Sequence, residues 1–89
     1  PIYCIINTGA IVEHDCVLGD YVHISPNATL GGNVTVGELS QVGIGATIIQ
    51  NITIGKNVMI GAGAVIIEDI PDNAVVVGVQ GKIVKYKEA

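Results

Sequence analysis

Every sixth residue from Ile6 is aliphatic: Ile6, Val12, Leu18, Ile24, Leu30, Val36, Val42, Ile48, Ile54, Ile60 and Ile66, with no insertion between them. An α-helix cannot use a period of six, which carries successive side chains off any single face. A long flat strand would align them but leaves the neighbouring columns unexplained, and those are ordered too. The residue after the aliphatic is Gly19, Gly31, Gly37, Gly43, Gly55 or Gly61 in six of the repeats. Three places after it stand Gly9, Asp15, Asn27, Asn33, Gly45, Asn51, Asn57, Gly63 and Asp69, with Tyr21 and Leu39 as exceptions. Asn, Asp and Gly tolerate a left-handed backbone, so one corner per six residues is expected. Four places after it the side chains are mostly small (Ala10, Cys16, Ala28, Ser40, Ala46, Ala64), as a cramped interior demands.

Three such edges close a triangular coil of eighteen residues, and coils stack at the inter-strand spacing of about 4.8 Å. Asp15, Asn33, Asn51 and Asp69 then form one polar corner ladder, and Thr29 over Thr47 an outward stack. The expected fold class is all-β: a parallel β-helix of three strands per coil, regular over residues 6–71. The β-helix domain is placed at residues 1–71, and residues 72–89 read as a C-terminal strand and tail. After Pro71 the period fails, and Val75-Val76-Val77-Gly78-Val79 is expected as a strand leaving the helix. Composition agrees: 49% of residues are hydrophobic, yet Trp and Phe are absent. A core of Ile, Val and Ala suits stacked strands better than packed helices.

The formal net charge of −4 and the absence of Arg argue against a nucleic-acid partner. All the lysines (Lys56, Lys82, Lys85, Lys87) lie in the C-terminal half, where they offer an anionic ligand a local attraction. Lys85 and Lys87 fit a solubilising tail equally well. Cys4 and Cys16 are too few for a disulfide framework, and no Cys-x-x-Cys suggests zinc. No run is long enough to span a membrane and no signal peptide is visible, so no membrane partner and a cytoplasmic location are expected. The chain opens on Pro1 rather than Met, and Ile2, Ile5 and Ile6 leave an open apolar first edge. Both point to an N-terminal piece beyond this chain, or to a covering partner.

Departures from the structural columns carry the chemistry. His14 and His23 are the only side chains here whose ordinary pKa lies near neutrality, and both occupy outward columns that folding does not require. A solvent-exposed histidine without a role fits each of them as well. His14 and His23 are nine residues apart, half a coil, and so project from different sides; Asn7 and His23 differ by sixteen and share a side on adjacent rungs. In a three-fold trimer these flanks would face each other across the subunit boundary, a natural place for a cleft.

The segment Ile6-Asn7-Thr8-Gly9-Ala10-Ile11-Val12-Glu13-His14-Asp15-Cys16 resembles the signature of hexapeptide-repeat acetyltransferases. The family includes the UDP-4-amino-sugar N-acetyltransferases of bacillosamine synthesis and the sialic acid O-acetyltransferases. The similarity runs on through Ile70-Pro71-Asp72-Asn73 and Val76-Val77-Gly78-Val79. It implies a left-handed coil, a homotrimer and a bacterial sugar acetyltransferase using acetyl-CoA, without a metal, on a sugar or UDP-sugar. An N-terminal sugar-nucleotide-binding domain is then expected to be absent from this chain. By resemblance His14 is the general base and Asp15 the carboxylate that orients it, although Asp15 also fits the corner column. Asn7 and His23 match positions near the thioester, while Gly43-Ile44 and Gly61-Ala62 match rungs lining the pantetheine groove. Taken singly, those glycines also read as ordinary repeat residues. Lys82 matches a CoA-phosphate contact, but Gln80-Gly81 precedes it where relatives commonly have Pro and Ala.

The alternative to an enzyme is a non-catalytic β-helix structural or trimerisation module, since fold alone implies no chemistry. A γ-class carbonic anhydrase would need three histidine ligands. An ice-binding solenoid would need longer threonine ranks, and calcium-binding repeats a Gly/Asp nonapeptide. Cys16 belongs to the inward small-residue column and reads as core rather than nucleophile.

Overall fold

A computed structural model describes residues 2–88. Two-residue strands recur at the sequence period: β1 (Ile5–Ile6), β2 (Ile11–Val12), β3 (Val17–Leu18), β4 (His23–Ile24), β5 (Thr29–Leu30), β6 (Thr35–Val36), β7 (Gln41–Val42), β8 (Thr47–Ile48), β9 (Thr53–Ile54), β10 (Met59–Ile60) and β11 (Val65–Ile66). β1 to β8 each pair in parallel with the strand eighteen residues on, as Ile5 with His23 and Thr29 with Thr47. Three sheets result, which we call faces: A (β1, β4, β7, β10), B (β2, β5, β8, β11) and C (β3, β6, β9). Of each strand's two residues the first points out and the second in, because successive side chains of a strand alternate.

The inward column is the core. Ile24, Leu30, Val36, Val42, Ile48, Ile54, Ile60 and Ile66 are at most 1% exposed, packed against Val22, Ala28, Val34, Ala46, Val58 and Ala64 from the small-residue column. Each fully buried aliphatic contributes about 1.5–3 kcal/mol of burial, which offsets the cost of ordering so many corners. Among the described residues no rung lies beneath the first coil, where Ile2, Ile5 and Ile6 are about half exposed.

Corners are set by backbone geometry more strictly than by residue type. Gly9, Asp15, Asn27, Asn33, Gly45, Asn51, Asn57 and Gly63 all have positive φ. Tyr21 (φ 59°) and Leu39 (φ 64°) do too, although their side chains disfavour it. The column position therefore dictates the conformation. Glycines after the aliphatic have a different cause: a Cβ on Gly31 would stand 2.6 Å from the backbone nitrogen of Gln50 on the next rung.

Ser40 is the one fully buried polar side chain among the described residues, and it is satisfied. Its hydroxyl donates to Gly55 O (2.8 Å) and accepts from Val58 N (2.9 Å). Cys4 and Cys16 occupy the same column and make the same contact, with their thiols on Gly19 O (3.1 Å) and Gly31 O (3.2 Å).

The last coil departs from expectation. Ile70 bridges Ile54, an offset of sixteen rather than eighteen, so the corner after Ile66 is two residues short. Asp69 therefore leaves the corner ladder, and among the ladder residues it alone lacks positive φ. Its carboxylate instead accepts from Thr53 N (2.8 Å), replacing the ladder carbonyl that the shortened corner cannot supply. The segment after Pro71 does not leave the coil. Strand β12 (Ala74–Val77) pairs in parallel with β10 on face A, Met59 with Val75. The chain then reverses into β13 (Lys82–Tyr86), antiparallel to β12. Gly81 lies over Ile66, whose Cδ1 would stand 2.7 Å from an added Cβ, so this hairpin covers the C-terminal end of the core. Lys87 is more than a solubilising charge, since its ammonium donates to Asn57 Oδ1 (3.3 Å) and ties the tail to the third coil.

Candidate functional site

His14 stands at the corner between faces B and C, where its carbonyl accepts from Asn33 N (3.0 Å) and holds the backbone to the next rung. Its ring reaches into solvent and contacts one charged partner, Asp15, with Nδ1 to Oδ2 3.2 Å and about three-quarters of each side chain exposed. Asp15 is corner and ring partner at once, with φ 60° and its carboxylate on the imidazole. With Nδ1–H donated to the carboxylate, Nε2 is left as the nitrogen that can accept a proton.

The floor beneath that ring is Gly32, which the sequence reading passed over. A Cβ there would stand 2.8 Å from Cε1, 3.0 Å from Nε2 and 3.4 Å from Nδ1 of His14. The imidazole thus occupies the volume a side chain would fill. The signal was present, since Gly32 follows His14 by eighteen residues, one full coil.

Asn7 and His23 meet on the opposite flank, at the edge between faces A and B. Asn7 Nδ2 lies 2.6 Å from His23 Nε2 and 3.4 Å from the carbonyl oxygen of Ile24. The carbonyl can only accept, so it fixes the amide nitrogen towards both partners. His23 Nε2 is then the acceptor, and its proton sits on Nδ1. Gly43, Ile44, Gly61 and Ala62 continue this edge along later rungs. At Gly45 and Gly63, on the same edge, nothing lies within 4 Å of where a Cβ would stand, which leaves an open strip of backbone. Gly43 itself is required by the coil, because a Cβ there would stand 2.6 Å from Ile60 O.

One chain therefore gathers Asn7, His23, Gly43, Ile44, Gly61 and Ala62 along one edge and keeps His14 and Asp15 on another. Lys82 lies apart from both, at the C-terminal end, in a cavity lined by Glu68, Asp69, Ile70, Gly81 and Ile83. The two carboxylates in that lining oppose an anion there. Among the described residues no three His, Cys, Asp or Glu side chains group as a metal site would require, and no helix is long and apolar enough to cross a membrane.

Solved structures share this fold. PerB from Caulobacter crescentus, in complex with CoA and GDP-perosamine, is 46% identical with a TM-score of 0.91 over 92% of this chain and 40% of that one. The acetyltransferase domain of PglB from Neisseria gonorrhoeae, in complex with acetyl coenzyme A, is 51% identical with a TM-score of 0.90 over 91% of this chain and 40% of that one. A maltose O-acetyltransferase from Clostridium difficile is 30% identical with a TM-score of 0.78, covering 99% of this chain and 60% of that one. This chain thus spans about two-fifths of the length of the PerB chain and of the PglB acetyltransferase-domain chain. Superposition at this level requires the same hand, so the coil is left-handed, as in the sugar N-acetyltransferases. The family model described as bacterial transferase hexapeptide (six repeats) matches residues 3–32 and 33–68. With its six-residue period matched over most of its length, the chain belongs to the bacterial transferase hexapeptide family.

Proposed function

We propose that this β-helix is the acyl-transfer part of an acetyl-CoA-dependent acetyltransferase acting on an amino or hydroxyl group of a nucleotide-linked sugar. The observation that carries the reading is the His14–Asp15 contact over Gly32. It leaves one imidazole nitrogen free to accept a proton in a chain closely similar to acetyltransferases solved with CoA.

His14 is the general base. As the acceptor's nitrogen or oxygen bonds to the thioester carbonyl carbon, its proton passes to Nε2. The tetrahedral intermediate then collapses, the C–S bond breaks, and the CoA thiolate leaves and takes up a proton. Asp15 holds the ring in the required tautomer and stabilises the imidazolium. No acyl-enzyme is formed, in keeping with Cys16, whose thiol is engaged with Gly31 O. Acetyl-CoA lies along the edge at Gly43, Ile44, Gly61 and Ala62, where the bare backbone at Gly45 and Gly63 gives an extended chain room. Asn7 and His23 sit near its thioester, and Lys82 reaches its phosphates by extending out of the cavity it shares with Glu68 and Asp69. His14 on one flank and Asn7 with His23 on another meet across the subunit boundary of a homotrimer. A bacterial, cytoplasmic enzyme is the setting this reading implies.

Calorimetric titration with acetyl-CoA, repeated on His23→Ala, tests the cofactor half; binding weakened by the substitution is expected. Turnover on a UDP-linked 4-amino sugar tests the base. His14→Ala should lower it by roughly 10²–10⁴-fold, and unchanged turnover removes His14 from the mechanism. Light scattering should give a trimer; a stable monomer removes the inter-subunit site.

A further inference from the structure

We infer that Gly32 is a positioning residue for the His14 imidazole, present because a side chain there would occupy the volume in which the ring works. The inference rests on the reading of His14 as the base.

Neighbouring glycines separate two causes. At Gly31 an added Cβ meets main chain, 2.6 Å from Gln50 N and 3.0 Å from Gln50 Cα. Neither atom can yield without opening the rung, so Gly31 serves the coil. At Gly32 all three nearest atoms belong to the His14 ring, and no backbone atom is among them. Gly32 does not have positive φ, so an alanine is conformationally permitted. The ring, about three-quarters exposed, is free to swing away. Gly32→Ala should therefore fold as the wild type does while the imidazole is displaced. The coil has no use for a glycine at position 32; the histidine one rung earlier does.

Direction matters as much as distance. Cε1 and Nε2 are the ring atoms nearest the absent Cβ, whereas Nδ1 faces Asp15. A methyl group at position 32 would push on the side of the ring that carries the proton-accepting nitrogen. It would strain the Asp15 contact and shift Nε2 from its place. A misplacement of about 1 Å at a reacting group costs on the order of 10²-fold in rate.

The test is a double-mutant cycle on Gly32→Ala and His14→Ala, read with acetyl-CoA and a UDP-linked 4-amino sugar, and NMR of the same proteins. Gly32→Ala should lower kcat by on the order of 10²-fold with little change in KM for acetyl-CoA, and leave the unfolding midpoint unchanged. In the His14→Ala background it should have no further effect, since no ring remains to displace. The wild type should show a nuclear Overhauser effect between His14 Hε1 and the Gly32 α-protons. In Gly32→Ala the corresponding contact should be lost and the imidazole nitrogen signals should move. Unchanged imidazole signals in Gly32→Ala overturn the inference whatever the activity, as does a further loss in the His14→Ala background. Unchanged turnover in His14→Ala would instead sink the reading of His14 as base.

Discussion

Asn7 and His23 are joined across adjacent rungs by a hydrogen bond of 2.6 Å, with the amide nitrogen as donor and Nε2 as acceptor. The Ile24 carbonyl sets the direction of that bond, and thereby the tautomer of the histidine. Asn7→Asp puts an acceptor where the donor stood, so the His23 proton should move from Nδ1 to Nε2. Two-bond ¹H–¹⁵N correlation of the ring distinguishes the tautomers. An unchanged pattern would show that the amide does not control the ring. Acetyl-CoA binding should weaken by roughly tenfold in Asn7→Ala, the worth of about one hydrogen bond.

Asp15 combines two roles that substitution can separate. Asn33 and Asn51 occupy the same corner ladder with positive φ, so Asp15→Asn keeps a residue the corner accepts. Its unfolding free energy should stay within about 0.5 kcal/mol of wild type. The charge facing His14 is gone, however, and turnover should fall on the order of tenfold or more, as loss of a charge-assisted hydrogen bond implies. Equal stability with equal turnover would leave Asp15 as a corner alone.

Leu39 holds φ 64° with its side chain about half exposed, so the coil bears the cost of a left-handed leucine without full burial in return. Leu39→Asn should raise stability by about 1 kcal/mol, read as a higher urea midpoint at constant slope. The same change at Tyr21 should gain less, because the Tyr3–Tyr21 ring stack, with centroids 5.7 Å apart, is lost.

Ser40→Ala removes an acceptor from the buried Val58 N–H and a donor from Gly55 O, and should cost about 1–3 kcal/mol. Ser40→Cys should cost less, since Cys4 and Cys16 make the equivalent carbonyl contact in the same column. Urea unfolding of both variants decides it; equal losses would mean that the hydroxyl's geometry matters beyond its donor.

The period of six by itself determined the coil, the three faces, the identity of the core and the stacking of residues eighteen apart. Each rung packs only on its neighbours, so local spacing passes directly into register. Separation of His14 from the Asn7–His23 flank was legible for the same reason, and so was the Thr29–Thr47 stack. What escaped the pattern depended on three-dimensional closure. The corner after Ile66 loses two residues, and the Asp69 carboxylate serves Thr53 N in place of a carbonyl. The strand after Pro71 stays on face A because the unpaired edge of β10 offers it hydrogen bonds. Tyr21 and Leu39 adopt the corner conformation their side chains oppose, since the rungs on either side leave the backbone no other path. The same holds at the site: residue types marked His14 and Asp15, but only the packed coil laid the imidazole into the space that Gly32 leaves empty.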